Sequence, residues 1–223
     1  MKDIRIPEVT IKRLSSYSRY LNELSQKEIT TVTSKQLAEE FGVKCTQIRK
    51  DINFFGQFGI RGIGYNVDDL HKHILKTLGL RTVWSIAIVG FGDLGSALCN
   101  YIGFKEHGFS IDSIFDIDPK KIGTVVNGIE IRPIDQIEKI MEIKQSKIGI
   151  ISVPTASAQR TADLLVRSGI QAIMNFAPIA LKIPPQIEIR NIDLTNNLEV
   201  LTYNLNKNAP KRKIQKQNID SFN

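Results

Sequence analysis

The stretch Ile86-Ala87-Ile88-Val89-Gly90-Phe91-Gly92-Asp93-Leu94-Gly95-Ser96-Ala97-Leu98 decides the fold, because a short apolar run passes through three glycines into a helix-forming segment. In a dinucleotide-binding turn, Gly90 makes the tight turn, Gly92 lets the backbone approach a pyrophosphate, and Gly95 allows close helix–strand packing. The following helix offers free N–H groups and the positive end of its dipole to phosphate. The spacing predicts dinucleotide binding; the alternative is an α/β turn that binds no phosphate.

A second apolar run, Ile111-Asp112-Ser113-Ile114-Phe115, supports the same interpretation. It ends in Asp116, twenty-one residues after Gly95. An acid at about this distance accepts hydrogen bonds from the ribose hydroxyls, which favours NAD(H) over the 2′-phosphorylated cofactor.

Length and composition limit the possible classes of protein. The chain has 223 residues, 42% of them hydrophobic, which is enough for one large domain or two modest ones with a real core. No apolar run approaches the roughly 20 residues that span a bilayer, and no secretion signal opens the chain. Cys45 and Cys99 lie in contexts that suggest no disulfide or metal framework. We therefore expect a cytoplasmic protein.

The net charge of +7 is unevenly distributed along the chain. Residues 1–85 hold 14 Lys and Arg against 9 Asp and Glu, whereas residues 86–206 hold 11 against 13. The basic excess thus lies outside the nucleotide module and favours a polyanion partner for the N-terminal part. The alternative is an ordinary solvated basic surface.

The N-terminal part reads as three helices. Helical spacing of apolar residues predicts a first helix over residues 7–26, and Ser34 can cap a second one that continues through Phe41. Gly42-Val43 forms a corner before a third helix over residues 46–55. These proportions are typical of a helix-turn-helix.

The third helix carries side chains suited to DNA on one face. Ile48, Ile52 and Phe55 share the face that should pack inward. The polar and basic residues of the outer face and its flanks are the candidate DNA contacts: Thr46, Gln47, Arg49, Lys50 and Asn53. The alternative is an amphipathic helix whose polar face only contacts water.

Residues 56–66 contain four glycines and predict a tight β-hairpin with Arg61 at its tip. A hairpin after the recognition helix makes a winged helix, and a basic tip can reach DNA; a purely structural hairpin is the alternative. Residues 67–80 read as a connecting helix, which puts the domain boundary near residues 80–84. His71 and His73 fall on different faces of that helix, so we expect solvent-exposed histidines rather than a metal site.

Strand and helix signals alternate after the glycine turn. The strands are predicted over residues 128–132, 147–153, 170–174 and 187–192, with helices over 133–143 and 157–168 between them. This alternation predicts a Rossmann-like doubly wound parallel sheet, and hence an α/β chain with an N-terminal winged-helix domain.

Ligands of such sheets bind beyond the carboxyl ends of the strands. Three segments should converge there, so the candidate cofactor-binding residues are Gly90, Phe91, Gly92, Asp93, Leu94, Gly95, Asp116, Ser152, Val153, Pro154, Asn175, Phe176, Ala177 and Pro178. Phe176 could stack on a nicotinamide or adenine ring; the alternative is an aromatic residue at the edge of the core.

The last helix, predicted over residues 195–206, places Leu198, Leu201 and Leu205 on one stripe. No further strand follows for this stripe to cover, so a second subunit is its natural partner. The basic stretch 207–223 is short of apolar residues and is expected to be disordered.

Taken together, these residues resemble the Rex family of redox-sensing transcriptional repressors over nearly the whole chain up to residue 206. The most specific stretches lie in 43–65, including Arg49-Lys50-Asp51 and Phe55-Gly56-Gln57-Phe58-Gly59-Ile60-Arg61-Gly62-Ile63-Gly64-Tyr65, and in 90–95. Phe115-Asp116-Ile117-Asp118-Pro119, Val153-Pro154, Ala158-Gln159 and Asn175-Phe176-Ala177-Pro178 also match.

The resemblance implies a homodimer that binds a palindromic DNA operator and leaves it when NADH occupies the C-terminal domains, while NAD⁺ competes but permits DNA binding. It implies that the last helix is exchanged between subunits. It implies DNA contacts for Arg49, Lys50 and Arg61. Positions that link the nicotinamide environment to the DNA-binding domain fall on Arg13, Tyr101 and Asp193.

Two positions depart from the family pattern. Asp93 stands inside the phosphate turn, where the family often has Asn or Arg, and a carboxylate facing a pyrophosphate costs on the order of 1 kcal/mol. Ser15 replaces the usual proline of the first helix.

The sequence predicts three segments: a winged-helix domain (1–80), a Rossmann NAD(H) domain with its dimerisation helix (81–206), and the tail. The alternative function is an NAD-dependent oxidoreductase with an accessory basic domain. Such an enzyme needs a proton donor and a substrate pocket. His107 is the only histidine between residues 86 and 206, and no length remains for a substrate domain. We therefore expect a repressor that binds NADH and NAD⁺ as effectors, with no catalytic residue and no metal.

Overall fold

The computed structural model describes residues 6–56, 59–60 and 62–208. The chain forms two compact units, Met1–Trp84 with Ile102–Ser110, and Ser85–Tyr101 with Ile111–Asn223.

The first unit is mainly helical. Its long elements are α1 (Glu8–Gln26), α2 (Ser34–Phe41), α3 (Cys45–Asn53) and α4 (Val67–Thr77), and the short strands β1 (Thr31–Val32) and β2 (Tyr65–Asn66) pair antiparallel. The helices bury one shared apolar core, whose fully buried members include Leu14, Tyr17, Leu21, Leu37, Ile48, Ile52, Leu70 and Ile74. The three helices predicted before the hairpin are therefore confirmed, and no end differs from the prediction by more than two residues.

The start of α2 corrects one prediction. Thr33, not Ser34, is the N-cap: its hydroxyl accepts the N–H of Gln36, and the Gln36 side chain accepts the N–H of Thr33. This reciprocal arrangement is a capping box, and it makes Ser34 the first helical residue. Gly42 ends the helix in the left-handed region, with φ of +60°, as the predicted corner requires.

The hairpin after α3 is described in part. Ile60 and Gly64 exchange two backbone hydrogen bonds, of 2.9 and 3.0 Å, and form an antiparallel bridge around a tight turn. Gln57, Phe58 and the predicted tip residue Arg61 lie outside the described residues.

His71 on α4 differs from the expectation of solvent exposure. It is half-buried, and its Nε2 lies 3.1 Å from the Ser18 hydroxyl of α1. The reason is that α4 packs along α1, so one side of α4 is covered around the stripe Leu70 and Ile74.

The second unit is built on a mostly parallel sheet. Its strands are β3 (Trp84–Val89), β4 (Phe109–Asp116), β5 (Val125–Val126), β6 (Ile129–Pro133), β7 (Ile148–Ile151), β8 (Ala172–Asn175) and β9 (Glu188–Asn191). The helices are α5 (Asp93–Cys99), α6 (Ile102–Glu106, grouped with the first unit), α7 (Ile137–Lys144), α8 (Thr155–Arg167) and α9 (Leu194–Asn208).

The strand order is β5-β6-β4-β3-β7-β8-β9. The pairs β4–β6, β3–β7, β7–β8 and β8–β9 are parallel, whereas β5 pairs antiparallel with β6 at one edge. The order reverses direction beside β3, as in Rossmann-like α/β folds. The predicted α/β class with a parallel sheet is confirmed, and the antiparallel edge strand adds to it.

Helices α7 and α8 cover one face of the sheet. They bury Ile137, Met141, Ala158, Ala162 and Leu165 in a core that also contains strand residues on that face. Within residues 6–56, 59–60 and 62–208, no helix is long and apolar enough to cross a membrane. The same residues contain no cluster of His, Cys, Asp or Glu that could hold a metal ion.

Helix α9 differs from the others because every residue from Leu194 to Lys207 is exposed. Its Leu194, Leu198, Leu201 and Leu205 present an apolar stripe that the described part of the chain does not cover.

Candidate functional site

The carboxyl ends of four neighbouring strands, β4, β3, β7 and β8, bring the predicted cofactor segments together. Backbone hydrogen bonds join the segments from strand to strand: Gly90 N–H to Phe115 O (2.8 Å), Ser152 N–H to Val89 O (2.9 Å) and Phe176 N–H to Ile151 O (2.9 Å). The glycine turn, Asp116, the Ser152 segment and the Phe176 segment therefore line one edge of the sheet, where ligands of parallel sheets bind.

Each of the three glycines in the turn is explained by a different feature of the structure. Gly90 has φ of +96°, and a Cβ there would lie 2.5 Å from the carbonyl oxygen of Ser152. A Cβ at Gly95 would overlap the carbonyl oxygen of Gly90, so this glycine lets α5 pack against the turn. A Cβ at Gly92 would meet no atom within 4 Å. Gly92 therefore faces open space, which is where a ligand could approach the backbone.

Ser152 fixes the turn from the β7 side. Its hydroxyl donates to the carbonyl oxygen of Gly90 at 2.8 Å, with the carbonyl oxygen of Val89 at 3.2 Å. Because this donor is occupied, the side chain of Ser152 holds the shape of the phosphate turn.

Asp116 fixes the turn from the β4 side. Its Oδ2 accepts the N–H of Phe91 at 2.6 Å, and its Oδ1 accepts the N–H groups of Ile117 (2.7 Å) and Asp118 (2.8 Å). Lys121 places its Nζ 3.6 Å from Oδ2. Burial raises the pKa of Asp116, but these hydrogen bonds and Lys121 outweigh it and hold the pKa below its ordinary value.

The charge of Asp116 has a consequence for ligand binding. A carboxylate offers about four lone-pair sites, and three backbone N–H groups occupy three of them. The ionised Asp116 therefore shapes the turn and keeps acceptor capacity for a hydroxyl group of a ligand.

The other predicted cofactor residues differ in exposure. Phe91, Leu94, Val153 and Phe176 are half-buried, Asp93, Pro154 and Pro178 are exposed, and Ala177 is buried. The exposed Asp93 is the first residue of α5. The half-burial of Phe176 is compatible with a ring that faces a ligand on one side and the protein on the other.

Asn175 is fully buried and its side chain is used inside the protein. Its amide nitrogen donates to the carbonyl oxygens of Ala177 and Ile179 and to Asn191 Oδ1, at 2.9–3.1 Å, and its Oδ1 accepts the N–H of Ala177. Asn175 therefore shapes the loop that carries Phe176.

The candidate DNA residues lie on the outer face of α3. Thr46, Arg49, Lys50 and Asn53 are exposed and Gln47 is half-buried, whereas Ile48 and Ile52 are buried as predicted. Arg49 Nε donates to the carbonyl oxygen of Cys45 at 3.3 Å, one turn earlier. The face thus presents hydroxyl, amide and cationic groups on a helix anchored by an apolar back.

The burial of Asp51 is not among the sequence-based predictions. This carboxylate of α3 is fully buried and pairs with Arg13 of α1, with Nε–Oδ2 and Nη2–Oδ1 distances of 2.7 Å. Tyr17 and Gln47 also donate to it, at 3.0 and 2.9 Å. The helical period could have indicated this burial, because Asp51 lies three residues after Ile48 and one before Ile52, on the inward side of α3.

The pKa of Asp51 reflects this environment. Burial raises it, but the hydrogen bonds from Arg13, Gln47 and Tyr17 outweigh burial and hold the pKa below its ordinary value. The carboxylate is therefore ionised at neutral pH, and the ion pair with Arg13 is intact.

The three predicted switch residues lie in different surroundings. Arg13 is held by Asp51. Tyr101 follows α5 and is 60% exposed. Asp193 accepts the N–H groups of Thr195 and Asn196 through Oδ1, at 2.9 and 3.1 Å, and so caps α9.

Comparison with known proteins gives consistent results. A family described as putative DNA-binding protein N-terminus matches residues 5–53, and one described as CoA binding domain matches residues 82–179. The redox-sensing transcriptional repressor Rex of Desulfitobacterium hafniense is 56% identical over 205 residues, covering 92% of this chain and 98% of that protein. The Rex protein of Carboxydothermus hydrogenoformans is 51% identical and covers 93% of this chain and 100% of that protein.

Solved structures agree with the sequence relatives. RSP in complex with β-NAD⁺ and operator DNA has a TM-score of 0.87 at 40% identity, covering 92% of this chain and 94% of that one. RSP in complex with β-NADH has a TM-score of 0.81 at 39% identity, covering 92% and 96%. At this identity and coverage, the chain belongs to the Rex family of redox-sensing transcriptional repressors.

Proposed function

We propose that this chain acts in the cytoplasm as a homodimeric repressor that holds a palindromic operator without NADH and releases it when NADH binds. Residues 1–80 would form the DNA-binding domain and residues 81–206 the NAD(H) domain. The observation that carries the proposal is that one chain combines the phosphate turn, clamped by Asp116 and Ser152, with the exposed polar face of α3.

The edge of the sheet fits a dinucleotide. Gly92 leaves open space beside the backbone, and the N–H groups that open α5 have no intrahelical partner. Asp116 would accept a ribose hydroxyl with its remaining acceptor capacity, which favours NADH and NAD⁺ over a 2′-phosphorylated cofactor. Phe91, Leu94, Val153 and Phe176 would supply apolar contacts, with Phe176 beside a ring.

The remaining predicted residues would shape the site. Asn175 holds the loop at Ala177, and Pro154 precedes α8. The exposed Asp93 stands at the start of α5, where a bound pyrophosphate would repel it. We expect Asp93→Asn to bind NADH more tightly than the wild type.

DNA binding would use a winged helix. Thr46, Arg49, Lys50 and Asn53 lie exposed on α3, and the tight turn between Ile60 and Gly64 is where the wing would bend. Hydroxyl, amide and cationic groups serve both phosphate and base-edge contacts in the major groove. The wing residue Arg61 would add a phosphate or minor-groove contact.

Helix α9 supports the homodimer. An isolated helix of this length is marginal in water, and α9 is exposed on all sides within the chain. Exchange of α9 between two subunits would cover its leucine stripe and satisfy the two-fold symmetry that a palindromic operator requires.

The switch would exchange partners among Arg13, Tyr101 and Asp193. NADH can shift the DNA equilibrium only as far as it prefers one conformation, so the switch must satisfy the Asp193 carboxylate differently in the two states. We expect Tyr101→Phe to bind NADH with nearly wild-type affinity while NADH-driven release from DNA is lost. Release that stays unchanged in this variant would remove Tyr101 from the switch.

The test is a fluorescence anisotropy titration of a labelled duplex selected from random sequences at fixed salt without cofactor. Addition of NADH should release the duplex, whereas NAD⁺ should leave most of it bound. A protein that binds NADH but selects no duplex, or whose duplex binding ignores NADH, would refute the proposal.

A further inference from the structure

The buried carboxylate of Asp51 lies directly behind one of the candidate DNA-reading side chains. Gln47 stands one helical turn before Asp51 on α3, and its Nε2 donates to Asp51 Oδ1 at 2.9 Å. The same carboxylate is held from α1 by Arg13 and Tyr17. The side chain of Gln47 is therefore tied to a carboxylate that two side chains of α1 also hold.

This contact fixes which way round the Gln47 amide is oriented. An ionised carboxylate only accepts hydrogen bonds, so the NH₂ group of Gln47 must face Asp51 and its carbonyl oxygen must face away. Arg13 and Tyr17 are donors as well, so they favour the ionised form of Asp51. Among the described residues, no hydrogen bond engages Oε1 or the second amide N–H of Gln47.

We propose that Asp51 is a positioning residue that presents Gln47 as an adenine reader in the major groove. The free Oε1 and the second N–H form an acceptor–donor pair, which matches the N6–H and N7 of adenine. Guanine offers two acceptors at the same edge and leaves Oε1 without a donor. This inference rests on the proposed DNA-binding function of α3 and adds the base that position 47 selects.

The position of Asp51 supports a role beyond stability. A buried ion pair is often no more stabilising than apolar residues of similar volume, and its retention can serve specificity. Here Oδ1 of Asp51 accepts from Arg13 Nη2 and also from Gln47, on the reading face of the same helix. The apolar residues Ile48 and Ile52 already anchor α3 in the core on either side.

The test uses the full-length protein and the duplex that the wild type selects. Each base pair of the half-site is changed in turn, symmetrically in both halves, and the Kd is measured by anisotropy at fixed salt. Wild type, Gln47→Ala, Asp51→Asn and the double variant are compared. Asp68→Asn is the control, because it makes the same chemical change on α4, where Asp68 accepts from Ser25.

We expect the wild type to prefer adenine at one position by about tenfold or more, as a bidentate contact does. Gln47→Ala and Asp51→Asn should both reduce that preference to less than about threefold at the same position, and the double variant should reduce it no further. Asp68→Asn should keep it. If Asp51→Asn weakens binding to all duplexes equally and retains the adenine preference, the role is structural and the proposal is wrong.

A second measurement needs no variant of Asp51. The side-chain amide of Gln47, assigned by its loss in Gln47→Ala, should show one hydrogen-bonded proton that exchanges slowly with water in the NMR spectrum of the wild type. Rapid exchange of both amide protons would overturn the proposal. If the wild type selects no duplex, the proposed DNA-binding function is wrong. The NMR measurement does not use DNA, so it still tests the contact between Gln47 and Asp51 by itself.

Discussion

Helix α9 gives the most direct test of the proposed dimer, through the substitution Leu201→Lys. Leu194, Leu198, Leu201 and Leu205 are 58–71% exposed on one stripe of the helix. Complete burial of a leucine contributes about 1.5–3 kcal/mol, so covering the exposed part of each contributes about 1–2 kcal/mol. A two-fold dimer contains Leu201 twice, and the substitution therefore removes about 2–4 kcal/mol before any cost of burying lysine.

This loss corresponds to a dimer Kd that rises by roughly 30- to 700-fold. Sedimentation equilibrium over a concentration series measures it directly. Asn206→Lys is the matched control, because it adds the same charge outside the leucine stripe, about 140° around α9 from Leu201, and should leave the Kd within about threefold of wild type. Equal Kd values for Leu201→Lys and wild type would refute the reasoning that this stripe is the dimer contact.

Three further perturbations separate the roles of individual residues. Gly95→Ala should lower the Tm, because the added Cβ overlaps a carbonyl oxygen and overpacking costs about 1–3 kcal/mol. Gly92→Ala should keep the wild-type Tm but weaken NADH binding, which titration calorimetry measures. The pKa of Asp51 is lower in the folded than in the unfolded protein, so its ionised form stabilises the fold above about pH 4, and this stabilisation is lost as the pH falls through the folded pKa. Urea unfolding between pH 7 and pH 3 should show this loss of stability in the wild type and not in Asp51→Asn. Arg61→Ala should weaken DNA binding and lower the salt slope by about one, measured from Kd against salt concentration.

The glycine turn could be predicted in detail because its requirements are local. Gly90 needs a positive φ, and Gly95 packs against the carbonyl oxygen of Gly90, five residues before it; both needs are visible in the spacing of the glycines. The spacing also predicts that Asp116 accepts ribose hydroxyls, which stays a prediction, whereas its hydrogen bond from the N–H of Phe91 was not predicted. Membership of the Rex family confirms the interpretation of the chain as a redox-sensing repressor rather than an oxidoreductase.

Other features depend on contacts that no local pattern reports. Serine and threonine are both good N-cap residues, so residue type does not choose between Thr33 and Ser34. Thr33 caps α2 because the Gln36 side chain accepts its N–H in return, which forms a capping box. Strands β1 and β5 have two residues each, too few for an alternating pattern. The burial of Asp51 was missed because charge suggests exposure, and only Arg13, distant in sequence, makes an inward carboxylate stable.

The geometry of Arg13 limits how a switch can act through it. Removing one partner of a buried ion pair costs about 3–5 kcal/mol, which exceeds the 1–3 kcal/mol typical of allosteric coupling. A switch that broke the contact with Asp51 would thus exceed the energy that an effector ordinarily supplies. Within the described residues, Arg13 uses Nε and Nη2 for Asp51 and Thr10, and a quarter of its side chain is exposed. A guanidinium has five N–H donors, so Arg13 can bind a further acceptor while Asp51 keeps its contacts. An effector that acts through the remaining donors of Arg13 would therefore leave the buried carboxylate of Asp51 paired.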